Sequence, residues 1–390
     1  MKKKLLFVLN QMGAGGIAKS LSNLLYHLEK YKDDYEVDLF LLRKDGCYMS
    51  DIPNYVNVIE SKGLLKLFGA SQSDTKKFGR FQYFRRFFVA CWTKIFTNYI
   101  PLKIAVKQNK LKKEYDAAIS FTHTQNSHDM AAGSVEMVLW GVKAKKKFGV
   151  IHGDVEIENL LNRSNVKKFR NFDRIFSVSK SCSDQVKRVE PQLEKISDYL
   201  YNTQRNDIII DLSNQDKVKF DEDTINMVMV SRLENQKAHL RFLPIVKRLN
   251  DEGFNFKLHI VGDGLLRKDI ELYLNKNNMC DYVHLYGAQK NPFPYMKSAD
   301  LFVLVSYYEA APMVYNESML VGTPIFTTRI ISADEMVGDK GFVCDNSEEG
   351  IYTELKQILI NKNLIKEKKE KLKNFNYDND SIVRKLLSLI

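Results

Sequence analysis

The chain has 390 residues, of which 44% are hydrophobic and 27% charged, with a net charge of +11 and five scattered cysteines. This length allows two domains with full hydrophobic cores, and the cysteine spacing favours buried or unreactive thiols over disulfides or a metal site. No uncharged apolar stretch approaches the roughly 18 residues of a membrane-spanning helix. The first apolar run ends at Asn10, short of the roughly 7 to 15 residues that a signal peptide needs. We therefore expect a two-domain cytoplasmic protein that does not cross a bilayer.

Strands alternate with helices in the first half of the chain, which is typical of a parallel sheet. A strand at 5–9 precedes a helix that starts at Ile17. The other predicted strands of this half lie at 37–41, 117–120, 148–151 and 174–178.

A basic segment, residues 62–113, interrupts this alternation. It carries thirteen Lys or Arg residues against one acid, a net charge of +12. Of its ten aromatic residues, four lie at spacings that place them on one helical face: Phe81, Phe84, Phe88 and Trp92. A basic helix with an aromatic face suits the surface of an anionic membrane. An ordinary buried face beneath a basic surface explains the pattern equally well, whereas nucleic-acid binding is less favoured because no nucleic-acid-binding motif accompanies the charge.

A second series of strands is predicted in the second half of the chain, at 226–230, 257–261, 282–285, 301–305 and 324–327. The polar stretch 201–224 between the two series is rich in Asp and Asn and predicts a linker. A basic helix at 363–373 and an apolar-periodic segment at 382–390 follow. The expected divisions are a first domain at 1–205, a second at 206–375 and a final helix within 376–390.

A glycine loop follows the first strand, with glycines at Gly13, Gly15 and Gly16. Such glycines let a ligand approach the backbone and the free N–H groups at the start of the next helix. The loop matches the dinucleotide fingerprint G-x-G-x-x-A, so NAD(P) binding is a rival prediction. Two features weaken it: residues 11–12 separate the strand from the first glycine, and Asp45 comes late for an acid that should hold a ribose.

Three further side chains follow strands, where parallel sheets bind ligands. His152 follows strand 148–151, although a lone histidine is more often structural than catalytic. Arg232 and Lys237 follow strand 226–230 and straddle a helix start. The Arg fork and the Lys point charge could clamp a diphosphate, while an exposed basic pair would be the default for this stretch alone.

Two acids, Glu309 and Glu317, flank an Ala-Ala-Pro turn after strand 301–305. If a helix begins near Pro312, both acids can face the same cleft and hold the hydroxyls of a polyhydroxylated ligand. The two Asp-x-Asp sequences, at 221–223 and 378–380, fall in the linker and near the end of the chain. We therefore expect them to be solvated or helix-capping acids and predict no metal requirement.

Together these motifs resemble the family-four retaining glycosyltransferases of the GT-B type. The resemblance runs over nearly the whole chain and is strongest from 225 to 343, where it includes the Gly-Asp-Gly sequence at 262–264 and the two glutamates. It implies an α/β fold of two Rossmann-like domains that face each other across a central cleft, with the final helix crossing back to the first domain.

The resemblance also implies roles for individual residues. Arg232 and Lys237 would bind the donor diphosphate, Glu309 the donor sugar and Glu317 the ribose, while His152 would lie beside the transferring sugar. The catalytic set is then His152, Glu309, Arg232 and Lys237. The other implied donor-binding residues are Gly15, Gly16, Gly262, Ala311, Pro312, Met313, Val314 and Glu317.

This chain departs from the family pattern at a few glycines. The family usually has Gly before the Arg and after the Lys, where this chain has Ser231 and Ala238, and commonly has Gly in the turn that reads 310–312 here. An alanine methyl takes up room if its residue must approach a ligand or adopt a positive φ.

The implied function is transfer of a sugar from a nucleoside-diphosphate sugar to a hydroxyl acceptor, with retention of anomeric configuration and no cofactor. The charge of segment 62–113 suggests a lipid-linked saccharide acceptor in surface-polysaccharide or capsule synthesis, reached from the inner face of the cell membrane. Two alternatives stay open. A nucleotide-sugar epimerase would use the donor alone, and a non-catalytic partner subunit would keep the fold without turnover.

Overall fold

The computed structural model describes residues 2–70, 72–216 and 218–390. The chain forms two compact units: unit 1 runs to Thr203 and resumes at Asp378–Ile390, and unit 2 is Gln204–Tyr377. The boundaries expected from the sequence, after residues 205 and 375, lie close to these.

Unit 1 is built on a parallel sheet of seven strands in the order β3-β2-β1-β4-β5-β6-β7. The central strands are apolar on both faces because helices cover both sides of a doubly wound sheet. The strands are β1 Lys3–Leu9, β2 Tyr35–Leu41, β3 Asn57–Glu60, β4 Glu114–Ser120, β5 Lys143–Ile151, β6 Arg174–Ser177 and β7 Ser197–Tyr199.

The helices of unit 1 connect successive strands, and the basic segment between β3 and β4 adds four of them. The helices are α1 Gly16–Leu28, α2 Leu64–Phe68, α3 Gln72–Lys76, α4 Arg80–Ile95, α5 Tyr99–Lys107, α6 Ser134–Glu136, α7 Arg163–Phe169 and α8 Lys180–Val189.

Unit 2 is a second parallel sheet, with six strands in the order β10-β9-β8-β11-β12-β13. Counted within the unit this is the order 3-2-1-4-5-6 of a dinucleotide-binding fold, so the direction of strand addition reverses between β8 and β11. The strands are β8 Ile225–Val230, β9 Phe256–Val261, β10 Val283–Gly287, β11 Leu301–Leu304, β12 Ile325–Thr328 and β13 Gly341–Cys344.

Two hydrophobic clusters cover the faces of this second sheet, one centred on Met227, Leu258 and Val303 and the other on Val228, Phe302 and Tyr315. The helices of unit 2 are α9 Asn206–Ser213, α10 His239–Asp251, α11 Arg267–Lys276, α12 Phe293–Ser298, α13 Met313–Leu320, α14 Ala333–Val337, α15 Glu348–Ile360 and α16 Asn363–Leu372.

The last helix, α17 Asn379–Leu387, returns to unit 1, as the resemblance implies. Its buried face includes Ile382 and Val383, and Asp380 and Lys385 form ion pairs of 2.9 and 2.8 Å with Lys30 and Asp198. The helix is therefore an integral part of the first unit.

The linker prediction for 201–224 is wrong in one respect. Its apolar patch at 208–210 lies in α9, where Ile209 is buried in the core of unit 2. The crossing between the units, at Thr203–Gln204, lies at the start of the predicted stretch. Within the described ranges, no helix is both long and apolar enough to cross a membrane.

Candidate functional site

The predicted diphosphate clamp lies where the strand order of unit 2 reverses. Arg232 comes two residues after β8, and Glu309 lies in the loop that follows β11, the neighbouring strand. A parallel sheet binds ligands at this place because adjacent loops diverge and leave a crevice. The Arg232 side chain is 58% exposed and donates to Glu234 Oε1 at 2.8 Å, so its guanidinium is accessible to a ligand.

Two glycines fix the backbone on either side of Arg232. A Cβ on Gly262 would collide with the carbonyl oxygen of Ser231, and a Cβ on Gly264 would collide with that of Leu233. In addition, Ser231 N donates to Val261 O, and Leu233 N donates to Asp263 O at 3.0 Å. The Gly-Asp-Gly sequence therefore lets the loop after β9 support the loop that carries Arg232.

Lys237 and Glu309 form an ion pair through Nζ and Oε1. Both side chains are largely buried, at 16% and 12% exposed. Ser306 Oγ also donates to Glu309 Oε1 at 3.0 Å, which holds the carboxylate in place. The structure thus joins a predicted phosphate-binding cation to the predicted sugar-binding acid.

Backbone hydrogen bonds join the two loops that carry this pair. Tyr307 N donates to Gln236 O at 2.9 Å, and the Gln236 side-chain amide donates to Tyr308 O at 2.9 Å. Because the loops after β8 and β11 are tied together beside the ion pair, Lys237 and Glu309 keep their relative positions without a ligand.

Ala238 occupies a family glycine position for which the backbone still requires a left-handed conformation. Its φ and ψ are 57° and 33°. An L-residue there costs roughly 1–2 kcal/mol relative to the right-handed helix. The turn from Ala310 to Pro312 differs, because no residue in it has a positive φ. Replacement of glycine in that turn therefore needs no left-handed alanine.

α13 begins with two of the implied donor-binding residues, Met313 and Val314. Pro312 is at its N-cap, and no side chain caps it, so no side chain occupies the N–H groups of Met313 and Val314 at the positive end of the helix. Glu317 lies in the second turn and is only 2% exposed. The predicted helix start near Pro312 is thus confirmed. Glu317, however, is less exposed to solvent than Glu309.

Arg241 was not predicted from the sequence, yet it braces the same edge of the sheet. Its guanidinium donates to Val305 O and to Asn346 Oδ1, and it stacks over the Tyr307 ring with 4.2 Å to the centroid. Burial lowers its pKa. The available signal was its place near the predicted helix start, four residues after Lys237 in the sequence.

In unit 1, Gly15 and Gly16 form the N-terminal end of α1. Gly15 is the N-cap residue, and no side chain caps the helix. Both glycines are exposed, and a Cβ on either would have no atom within 4 Å. The backbone at the start of α1 is therefore open, and ligand binding by these two glycines stays a prediction.

His152 follows β5 and packs against two rings of the same unit. Its backbone N donates to His123 Nδ1 at 3.3 Å, and its ring lies 5.1 Å from that of Phe121. Burial, with a smaller contribution from His123, lowers the pKa of His152 to about 3, and burial lowers the pKa of His123 to about 4. His152 is therefore neutral at pH 7, and its buried Nε2 has no hydrogen-bond partner within the described structure.

The acid that NAD(P) binding would need is already engaged. Asp45 forms an ion pair with Arg43, whose side chain is 8% exposed and also pairs with Asp74 at 2.8 Å. Met12 N donates to Asp45 O at 3.0 Å, so the loops after β1 and β2 hold each other. An internally paired carboxylate is a poor ribose ligand, which disfavours the dinucleotide alternative.

The Asp-x-Asp sequences have structural roles. Asp378 is the N-cap of α17 and accepts from Ser381 N at 3.0 Å, and Asp221 pairs with Lys257 at 2.9 Å. Within the described ranges, no three His, Cys, Asp or Glu side chains cluster as the ligands of a metal ion would.

The second unit is similar in sequence to known glycosyltransferases. Residues 212–378 match the family model described as "Glycosyl transferases group 1". An uncharacterized glycosyltransferase of Methanocaldococcus jannaschii is 32% identical over 123 residues, which are 32% of this chain and 29% of that protein.

A Campylobacter jejuni protein is similar over a longer stretch. It is named N-acetylgalactosamine-N,N'-diacetylbacillosaminyl-diphospho-undecaprenol 4-alpha-N-acetylgalactosaminyltransferase. It is 29% identical over 151 residues, which are 38% of this chain and 40% of that protein. The chain thus spans less than half the length of either relative.

Solved structures match the whole length of the chain. HepE of Anabaena in complex with UDP and glucose has a TM-score of 0.68 at 15% identity, with 99% of each chain covered. TarM of S. aureus, in a complex that includes UDP, has a TM-score of 0.68 at 12% identity, again with 99% of each chain covered. The chain thus has the GT-B fold, and over residues 212–378 it is similar to the group 1 glycosyltransferases, in line with its resemblance to the family-four glycosyltransferases.

Proposed function

We propose that this protein transfers a sugar from a nucleoside-diphosphate sugar to a hydroxyl acceptor. The observation that carries the proposal is the clamp in unit 2, where Arg232 is accessible and the Lys237–Glu309 pair lies at the reversal of strand order. Two cations suit a diphosphate, and a fixed carboxylate suits sugar hydroxyls.

The clamp also suits the chemistry of the transfer step. Breaking a glycosyl phosphate bond leaves negative charge on the departing diphosphate, and preorganised cations stabilise that charge. Arg232 and Lys237 supply the cations, and the N–H groups of Met313 and Val314 add the positive end of a helix dipole. This arrangement needs no metal ion.

The neutral His152 suits a hydroxyl partner better than an anion. Its unpaired Nε2 can exchange a hydrogen bond with a sugar hydroxyl, which an imidazole does without carrying charge. The family resemblance adds retention of anomeric configuration, in which the acceptor hydroxyl attacks from the face that the diphosphate leaves.

The relatives favour a uridine donor and a lipid-linked acceptor. HepE was solved with UDP-glucose, and TarM with UDP. The Campylobacter relative is named for a diphospho-undecaprenol acceptor, and other relatives are named for Vi polysaccharide and O-antigen biosynthesis. We propose that this protein likewise extends a lipid-linked saccharide in surface-polysaccharide synthesis, at the inner face of the membrane.

The first test is a thermal-shift screen without added metal against uridine, guanosine and adenosine diphosphates, their sugar conjugates, and NAD(P). A ligand that binds only the native state raises its stability. We expect stabilisation by a uridine diphosphate, and loss of that shift in Arg232→Ala.

Arg248→Ala is the matched control. Arg248 is 51% exposed and paired to Glu349 at 3.1 Å, much as Arg232 pairs with Glu234, but it lies in the last turn of α10. Its replacement should leave the nucleotide shift unchanged. Stabilisation by NAD(P) alone, or an equal shift in Arg232→Ala, would refute the proposed clamp.

A product assay separates the alternatives. Incubation of the donor without acceptor would yield its epimer if the protein were an epimerase. A non-catalytic subunit would leave the activity of its complex unchanged by Glu309→Ala, whereas the proposed role of Glu309 predicts loss of transfer.

A further inference from the structure

Helices α4 and α5 leave a continuous apolar surface uncovered on unit 1. We call it the aromatic face and define it by six side chains that are between 41% and 73% exposed: Phe81, Phe84, Phe88, Trp92, Ile95 and Phe96. Ile100 and Ile104 extend it into α5 at 53% and 51% exposed. The alternative that these aromatic residues pack in the core is therefore wrong.

The opposite side of α4 holds the helix on unit 1. Thr93 is 1% exposed, Val89 packs against the core of the unit, and Arg86 donates to Ala70 O at 2.8 Å. Side chains that point away from these contacts cannot be buried by a small rotation of the helix. The aromatic face is a fixed surface, and its exposed area is on the order of 1000 Å² at roughly 200 Å² for a whole aromatic side chain. Soluble monomers rarely leave so large an apolar patch uncovered.

The charge around this face has one sign. The segment 62–113 carries thirteen cations and one acid, and that acid, Asp74, accepts from Arg43 at 2.8 Å. Arg80, Lys94 and Lys107 are exposed, and none has an acidic partner in the described ranges. Lys66 and Lys113 pair with acids outside the segment, but most of its positive charge has no acidic partner in the described ranges.

We infer that the aromatic face of α4 and α5 docks on an anionic lipid surface. Aromatic and aliphatic side chains enter the boundary between head groups and acyl chains, while the surrounding lysines and arginines remain at the anionic head groups. A second copy of the same face fits less well, because it would bring two segments of net charge +12 together. The link from this surface to a lipid-linked acceptor rests on the proposed function; the docking itself does not.

Vesicle sedimentation tests the inference without donor or acceptor. The full chain should sediment with vesicles containing phosphatidylcholine and phosphatidylglycerol in equal parts at low salt, and much less with phosphatidylcholine alone. Because no sugar nucleotide is present, a lack of vesicle binding would not affect the thermal-shift test of the proposed function. Likewise, a lack of nucleotide binding would not affect the vesicle test.

The apolar contribution is tested by F81S/F88S, which replaces side chains that are 72% and 67% exposed. Binding to the anionic vesicles should fall at least tenfold. The matched control is L272S/I360S, in which both original side chains are 67% exposed in unit 2 and which should bind like the wild type. Equal binding by F81S/F88S and the wild type would overturn the assignment of this face.

The charge contribution is tested by K94Q/K103Q/K107Q. Each cation near an anionic surface strengthens binding about fivefold, so the triple variant should bind about a hundredfold less tightly. The control R163Q/K167Q/R170Q instead removes three exposed cations, two from α7 and one from its C-cap, and should retain most of the binding.

Two further results would overturn the inference. One is a wild-type chain that stays in solution with the anionic vesicles at low salt. The other is a dimer in analytical ultracentrifugation that F81S/F88S converts to a monomer while neither form binds vesicles, because the face would then be a protein interface.

Discussion

His152 provides a quantitative test of the environment at the end of β5. Its pKa in the folded chain is about 3, against roughly 6.5 for an exposed histidine. Below pH 6.5, His152 is therefore protonated in the unfolded chain but stays neutral in the folded chain. The stability contributed by the neutral ring is complete above about pH 6.5 and is lost as the pH falls towards 3.

Between pH 7 and pH 5, this difference in proton binding lowers the free energy of unfolding of unit 1 by about 2 kcal/mol. His123, with a pKa of about 4 in the fold, adds a loss of similar size. His152→Gln cannot titrate and should keep the His123 contribution, so the variant should lose about 2 kcal/mol less than the wild type over this range.

Urea unfolding followed by tryptophan fluorescence suits this test, because the two tryptophans, Trp92 and Trp140, both lie in unit 1. The control His259→Gln replaces a histidine of unit 2 whose pKa is lowered to about 4. It should leave the pH dependence of the unit 1 signal unchanged. If His152→Gln and the wild type lost the same stability between pH 7 and pH 5, the conclusion that His152 is neutral in the folded chain would be refuted.

Three other outcomes follow from the site. Gly262→Ala should destabilise unit 2 by more than about 3 kcal/mol and abolish UDP binding, because its Cβ would strike a backbone carbonyl. Gly15→Ala should melt at the wild-type temperature in calorimetry, and a lower melting temperature would contradict the open space around Gly15. Lys237→Met and Glu309→Gln should each lower the calorimetric stability by about 3 kcal/mol, because each leaves one buried charge without its partner. The double variant, which leaves no unpaired charge, should lose much less. A loss in the double variant equal to the sum of the two single losses would contradict the pairing. EDTA should leave the rate of UDP release unchanged, and inhibition reversed by Mg²⁺ or Mn²⁺ would show that the cations of the clamp do not suffice.

The sequence predicted the interior of each sheet better than its margins. Central strands such as β8 and β11 are continuous apolar runs, so their positions and the functional side chains that follow them were predictable. The strands that were missed, β3, β7 and β13, all lie at a sheet edge. β3 has no fully buried residue, so its pattern carries little hydrophobic signal.

Contacts between distant loops explain the other gaps. Arg232 was identifiable because it follows a strand, but its support by Gly262 depends on how two loops approach each other in space. Similarly, the periodicity of α4 showed that its aromatic residues share a face, yet the same pattern occurs whether that face is covered or open. Alanine does not itself favour a positive φ, so the only sign at Ala238 was the glycine that the family usually has there; the surrounding fold imposes the conformation.

Because α17 belongs to unit 1, a newly synthesised chain can complete the fold of unit 1 only after unit 2 has been synthesised. A ribosome completes residues 204–377 before it supplies this helix, which takes on the order of ten seconds or more at about 5–20 residues per second. Unit 2 can fold as it emerges, while the apolar surface of unit 1 that awaits Ile382 and Val383 stays uncovered for that whole interval. A chain cut before Asp378 would keep every residue of the donor clamp but would leave unit 1 unfinished and prone to aggregate.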